Sequence, residues 1–181
     1  MPGDDADSDM HPRVRALVAR FREIADSMRN LPICNAAIAV EAIGFRPFGD
    51  VVPADAQEEA YEGALLGVLL TPWFMNVVVL PVTPVPIAMA KMGTAVPVDL
   101  PAGRRTFMVG GDEVIGQYHA HSLHSPLLEF TLPGQAQAEA RRALDALMTA
   151  PAPEPRGDPA GPAAPANVDR RALLFGRRRG D

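Results

Sequence analysis

Cysteine is all but missing from this chain: Cys34 is the one residue of its kind in 181. No intramolecular disulfide can form, and thiolates can build neither a CxxC zinc site nor an iron–sulfur cluster. Long apolar runs are missing as well. The best candidate, Ala64 to Val85, is interrupted by Pro72, Asn76, Pro81 and Pro84, short of the roughly 20 residues that a membrane helix requires. Met1 to Asp9 holds Asp4, Asp5, Asp7 and Asp9 with no basic residue and no apolar stretch, the reverse of a secretory signal. The chain is therefore expected in the cytoplasm, without membrane insertion. Neither GxGxxG nor a GxxxxGK phosphate loop occurs, so nucleotide binding has no support. A GxSxG nucleophile elbow is also absent.

What remains suits one compact domain of about 150 residues, a size that buries roughly two thirds of its surface without staples. The formal charge is −5 and unevenly placed: residues 168–181 carry five arginines against two aspartates, a local +3 that leaves −8 for residues 1–167. An acidic body argues against nucleic acid, whose phosphates need a basic face, and favours a cationic peptide.

Apolar residues Val14, Leu17, Val18, Phe21, Ile24, Ala25 and Met28 recur at three and four, which predicts a helix from Pro12 to about Asn30. Strands are expected over Ala36–Phe45, Gly63–Leu70, Met75–Leu80, Val96–Leu100, Arg105–Val109 and Glu113–Leu123, with Gly110-Gly111-Asp112 as a hairpin turn. The doubly apolar pair Leu65–Leu70 and Val77–Leu80 reads as the middle of a sheet. A short helix over Pro86–Met92 and a longer one over Gln135–Ala150 complete an α+β fold: a mainly antiparallel sheet with an N-terminal and a C-terminal helix packed on it. Residues 1–11 read as a disordered acidic N-terminus, 12–150 as the domain, 151–167 as a proline-rich linker and 168–181 as a basic tail.

Few residues have catalytic potential. His119, His121 and His124 form an HxHxxH cluster whose first two members share a strand face; such imidazoles bind zinc or nickel, yet without nearby cysteine the preferred reading is ordinary strand and loop histidines. No cofactor is expected, and the chain reads as a non-enzyme. Cys34 reads as a small buried hydrophobe. The segment Thr71-Pro72-Trp73-Phe74-Met75-Asn76 places the sole tryptophan in a turn between core strands, where one or two large side chains are expected at the surface for a partner.

These same residues, flanked by Gly67-Val68-Leu69-Leu70 and Val77-Val78-Val79-Leu80-Pro81, resemble the central signature of the HybE family of [NiFe]-hydrogenase assembly chaperones. Ser122-Leu123, Ser125-Pro126-Leu127 and Glu129-Phe130 resemble a second block of that family, and Arg170 to Arg178 a third. The likeness covers most of residues 12–149 plus the tail. Two positions depart from the family pattern: Gly49-Asp50-Val51 replaces a frequent tryptophan, and His121 stands where a cysteine is common. A rubredoxin-like domain, which some relatives carry, is excluded by the single cysteine.

The resemblance implies a chaperone that recognises the twin-arginine signal peptide of the hydrogenase small-subunit precursor and coordinates it with the large subunit before export. Trp73, Phe74, Met75 and Asn76 are then the expected client contacts, with Glu58, Glu59, Glu62 and Glu129 facing the client's arginines. The tail residues Arg170, Arg171, Leu173, Leu174 and Phe175 come close to the signal consensus S/T-R-R-x-F-L-K. Two readings stand for them: a pseudo-substrate that competes with the client, or, preferred, an element that packs permanently on the body or contacts the large subunit. The alternative function is a large-subunit chaperone or a nickel-handling factor using the histidine cluster.

Overall fold

The structure, a computed structural model, describes residues 10–49, 63–89 and 92–151. Helix α1 spans Pro12–Met28; Pro12 opens it, and His11 Nδ1 accepts from the Arg13 N–H at 3.2 Å as its cap. Strands β1 (Glu41–Pro47), β2 (Leu65–Leu70), β3 (Met75–Leu80), β4 (Ala95–Leu100), β5 (Gly103–Asp112) and β6 (Gly116–His124) precede helix α2 (Pro133–Met148). All six strands form one antiparallel sheet in the order β1-β2-β3-β6-β5-β4. The α+β architecture expected from the sequence is the one observed.

Two cores lie on the two faces of the sheet. Val14, Leu17, Val18 and Phe21 of α1 pack with Leu65, Leu69, Trp73, Val78 and Leu80 on one face, while Ala136, Ala140, Leu144 and Leu147 of α2 pack with Leu66, Val68, Val77, Val98, Leu100 and Phe107 on the other. Between them β2 is buried at every residue. Its doubly apolar sequence thus follows from cover on both sides, although it lies one strand in from the edge and only β3 of the expected central pair reaches the middle.

Three local expectations need correction. The first strand begins at Glu41, not Ala36: Asn35 Oδ1 accepts from the Ala37 N–H and the Asn35 carbonyl from the Ile38 N–H, which turns the chain. Ile38 and Val40, which a strand would set on one face, accordingly enter different cores. Gly110-Gly111-Asp112 is the end of β5, with the turn at 113–115, because the Asp112 carboxylate accepts from the Val114 and Ile115 amides at 2.9 and 3.0 Å. The helix expected at Pro86–Met92 is a single 3₁₀ turn, Ile87–Met89, with residues 90–91 outside the described set.

The pleat is tight where β2 pairs with β1. A Cβ on Gly67 would come within 2.7 Å of the Phe45 Cα and would overlap the Phe45 ring. Gly67→Ala is expected to cost about 1–3 kcal/mol through overpacking, and less in a Phe45→Ala background. Urea unfolding of the two single variants and the double variant tests this; equal penalties in both backgrounds would show that the ring is not the obstacle.

Candidate functional site

Three connections meet at one end of the sheet, and Asn35 joins them. Its backbone N–H donates to the Pro72 carbonyl at 2.8 Å, and its Nδ2 donates to the Leu127 and Phe130 carbonyls at 2.8 and 2.7 Å. The segment after α1 (31–40), the β2–β3 turn (71–74) and the segment before α2 (125–132) are thereby fixed to each other. Ser125 Oγ donates to the Trp73 carbonyl at 3.4 Å, and Cys34 Sγ to the Met28 carbonyl at 3.3 Å. Gln135 Oε1 accepts from the Thr131 and Leu132 amides, both at 3.1 Å, which fastens the last segment to the first turn of α2.

The tryptophan-bearing turn lies inside this frame, where one or two of its large side chains were expected at the surface. Trp73 is 9% exposed, Met75 is fully buried and Phe74 half-buried. Thr71 explains the inversion: its Oγ1 donates to the Phe74 carbonyl and accepts from the Trp73 and Phe74 amides, so the turn's polar groups are paired and can be buried. The indole then meets Phe21 of α1 at a centroid distance of 6.4 Å and Phe74 at 5.6 Å. Asn76 is half-buried, and its Oδ1 has no hydrogen-bond donor among the described residues.

What this end does present is aliphatic. Leu31 and Ile33 on the first segment and Leu128 and Leu132 on the third are 41% to 61% exposed. Sequence reasoning missed all four. The adjacent Leu127-Leu128 in a non-helical connection was the available signal, since only one of two such neighbours can point inward, and it is Leu127 that is buried. Beside the first segment a groove of about 670 Å³ runs between α1 and residues 34–41. Asp26 and Arg29 pair on its α1 side. Glu41, also in its lining, accepts from Gln137 Nε2 at 2.9 and 3.0 Å and has no cationic partner among the described residues.

Of the expected carboxylates, Glu129 is exposed, with its Oε1 3.3 Å from His124 Nδ1. Glu58, Glu59 and Glu62 lie outside the described residues, as do Arg170, Arg171, Leu173, Leu174 and Phe175. The flanks of the first group, Phe48 and Ala64, are joined by a 2.7 Å hydrogen bond at the far end of β2 from Trp73.

The three histidines have different surroundings. His119 is buried on the α2 side of β6; His121 lies on the same face and its Nδ1 donates to the Thr106 carbonyl at 2.8 Å. His124 sits between Glu129 and Glu139, each 3.3 Å away. The Glu139 carboxyl is held down to about 2, first by its hydrogen bond from Arg142 and further by His124. Among the described residues no group of three or more histidine, cysteine or acidic side chains is placed to hold a metal. No helix among them is long and apolar enough to cross a membrane.

Residues 12–176 match the family described as [NiFe]-hydrogenase assembly, chaperone, HybE. The chain is 37% identical over 161 residues to the hydrogenase expression/formation protein HupJ of Bradyrhizobium diazoefficiens, covering 88% of this chain and 85% of that protein. To protein HoxT of Cupriavidus necator it is 34% identical over 176 residues, covering 92% and 90%. The solution structure of HybE from Escherichia coli resembles this fold with a TM-score of 0.53 and 26% identity, over 93% of this chain and 91% of that one.

Two outcomes are expected from this geometry. Asn35→Ala removes both amide donors from the Leu127 and Phe130 carbonyls and should cost about 1–3 kcal/mol, with faster amide exchange in residues 125–132; unaltered exchange there would remove Asn35 as the joint. Burial lowers the His119 imidazole from 6.5 to about 4, so on acidification the unfolded chain takes up the proton first. The stability held by the neutral ring is complete above pH 6.5 and drains away between about 6.5 and 4. His119→Gln should flatten the stability profile in that window, measured by urea unfolding at stepped pH.

Proposed function

The chain belongs to the HybE family of [NiFe]-hydrogenase assembly chaperones, and from that premise we propose that it binds the twin-arginine signal peptide of a hydrogenase small-subunit precursor. In this reading it works in the cytoplasm, coordinates that subunit with the large subunit before export, and makes or breaks no bonds. The observation that carries it is the set Leu31, Ile33, Leu128 and Leu132, held in the open on connections that Asn35 fixes. Aliphatic side chains that a frame prevents from collapsing inward are available to the apolar part of a signal peptide. Glu41 in the adjoining groove and the exposed Glu129 supply carboxylates for its arginines.

The magnitudes suit a chaperone. Covering four half-exposed aliphatic side chains removes roughly 350 Å² from water, on the order of 9 kcal/mol gross, against association costs of about 4–15 kcal/mol. The surplus is small enough for release. Trp73 and Met75 enter this reading as the floor on which the frame rests, and Phe74 and Asn76 as its margin. The alternative of a large-subunit chaperone or nickel-handling factor draws no support from His119, His121 and His124, given the absence of a converging set among the described residues.

Titrating the full chain with a synthetic signal peptide from a small-subunit precursor tests the proposal. Saturable binding is expected, weaker at high salt, and about tenfold or more weaker in Leu128→Ser/Leu132→Ser, because two of the four apolar contacts are lost. Salt-independent binding, or a variant that binds like the parent, would count against this site. A chain ending at Ala166 separates the readings of the tail: tighter peptide binding on truncation is the mark of a competitor, and unchanged or weaker binding rules the pseudo-substrate out.

A further inference from the structure

An irregularity in the sheet turns His124 toward α2. Met75 pairs with His124 but Asn76 with Ser122, so Leu123 is an extra residue on β6 without a partner on β3. A bulge of this kind re-aims the side chains beside it. His124, which regular alternation would set on the same face as Ser122, comes instead to lie between α2 and the connection that carries Leu128 and Leu132. Its Nε2 meets Glu139 Oε1 of α2 and its Nδ1 meets Glu129 Oε1 of the connection, each at 3.3 Å. Phe130 packs edge-on against the ring at a centroid distance of 5.5 Å.

Two carboxylates ask for two donors, and the charge of the ring decides whether it has them. Glu139 is ionised: Arg142 holds it through two hydrogen bonds, and its carboxyl is held down to about 2. The Nε2 of His124, hydrogen-bonded to that carboxylate, is therefore a donor. A neutral imidazole has a single N–H, so its Nδ1 then carries a lone pair that faces the Glu129 oxygen and repels it. The imidazolium has a donor on each nitrogen and ties the connection to the helix. Contact on the Glu129 side is attractive only for the charged ring.

Glu129 is the reachable member of this set. Its side chain is 55% exposed against 21% for Glu139, and it is one of the two carboxylates assigned above to the client's arginines. An imidazolium and a guanidinium gathered on one carboxylate repel each other, so each is bound at the other's expense. Glu41, the second carboxylate, accepts from the side-chain amide of Gln137, which does not titrate.

We propose that His124 is an internal competitor for Glu129: in the free protein its imidazolium holds that carboxylate, and a client arginine that takes Glu129 releases the Nδ1 proton to solvent. Binding is thereby coupled to one proton, at one of the two arginine contacts. The inference deepens the function proposed above and rests on it for the identity of the client. Acidification charges more of the rings and weakens the client, and the affinity rises with pH across the range in which histidine changes charge, about pH 5 to 8.

The test titrates the full chain with a histidine-free synthetic signal peptide at stepped pH between about 6 and 8, where carboxylates keep their charge. His119, at about 4, stays neutral across this window. Parental affinity is expected to fall on acidification by up to about tenfold per pH unit, the limit for one proton. His124→Gln, which keeps a donor for Glu139, and Glu129→Gln should each remove the slope. A second measurement needs no client: the NMR titration midpoint of the His124 ring should move to lower pH in Glu129→Gln. A pH-independent affinity in the parent, the parental slope retained in His124→Gln, or a ring midpoint unmoved by Glu129→Gln overturns the inference. A parent that binds the peptide at no pH overturns the signal-peptide reading instead, and the ring titration still decides whether His124 and Glu129 are paired.

Discussion

The side chain of Asn35 makes three hydrogen bonds and its backbone two more, and through them the end of the sheet where three connections meet has a shape. Without that amide, two irregular connections carrying exposed leucines would be free to fold down on the nearest apolar surface. With it, their carbonyls are satisfied from the side, and Leu31, Ile33, Leu128 and Leu132 cannot follow Leu127 into the core. An amide suits this position because it donates twice and accepts once within one small planar group. The groove along α1 and the tryptophan turn are lined or anchored by the same segment.

The regular elements were legible because their patterns are self-contained. A three-and-four spacing with proline at its start locates α1 to within two residues, and apolar runs bounded by proline and glycine locate β2 and β3. The errors fell where a side chain substitutes for the backbone. Asn35 turns the chain where alternation suggested a strand, and Asp112 makes the turn that the preceding glycines seemed to announce. The burial of the tryptophan turn was not legible. The Trp73 turn does lie at the candidate end, yet Thr71 pairs its polar groups and sends the indole to Phe21. The aliphatic residues that do reach the surface belong to segments 92 to 95 positions apart in the chain, joined by hydrogen bonds that no local pattern announces.

Burial and exposure are thus divided between aromatic and aliphatic groups. The aromatic rings Phe21, Trp73, Phe74 and Tyr118 interlock beneath α1 at centroid distances of 5.6 to 6.4 Å, and this rigid layer supports a surface made of flexible side chains. Rings supply large contact area and fixed geometry. Exposed aliphatic side chains supply apolar area without that fixed geometry.

Proline within an edge strand also bears on the company this protein keeps. A helper that meets polypeptides before they have finished folding is surrounded by unpaired strands in search of hydrogen bonds, and a regular sheet edge would nucleate their growth. At β4 the missing donor of Pro97 interrupts that template; at β1 the irregular register near Gly44 and the closing Pro47 do the same. Both edges therefore offer an incoming strand an interrupted ladder of hydrogen bonds rather than a continuous one.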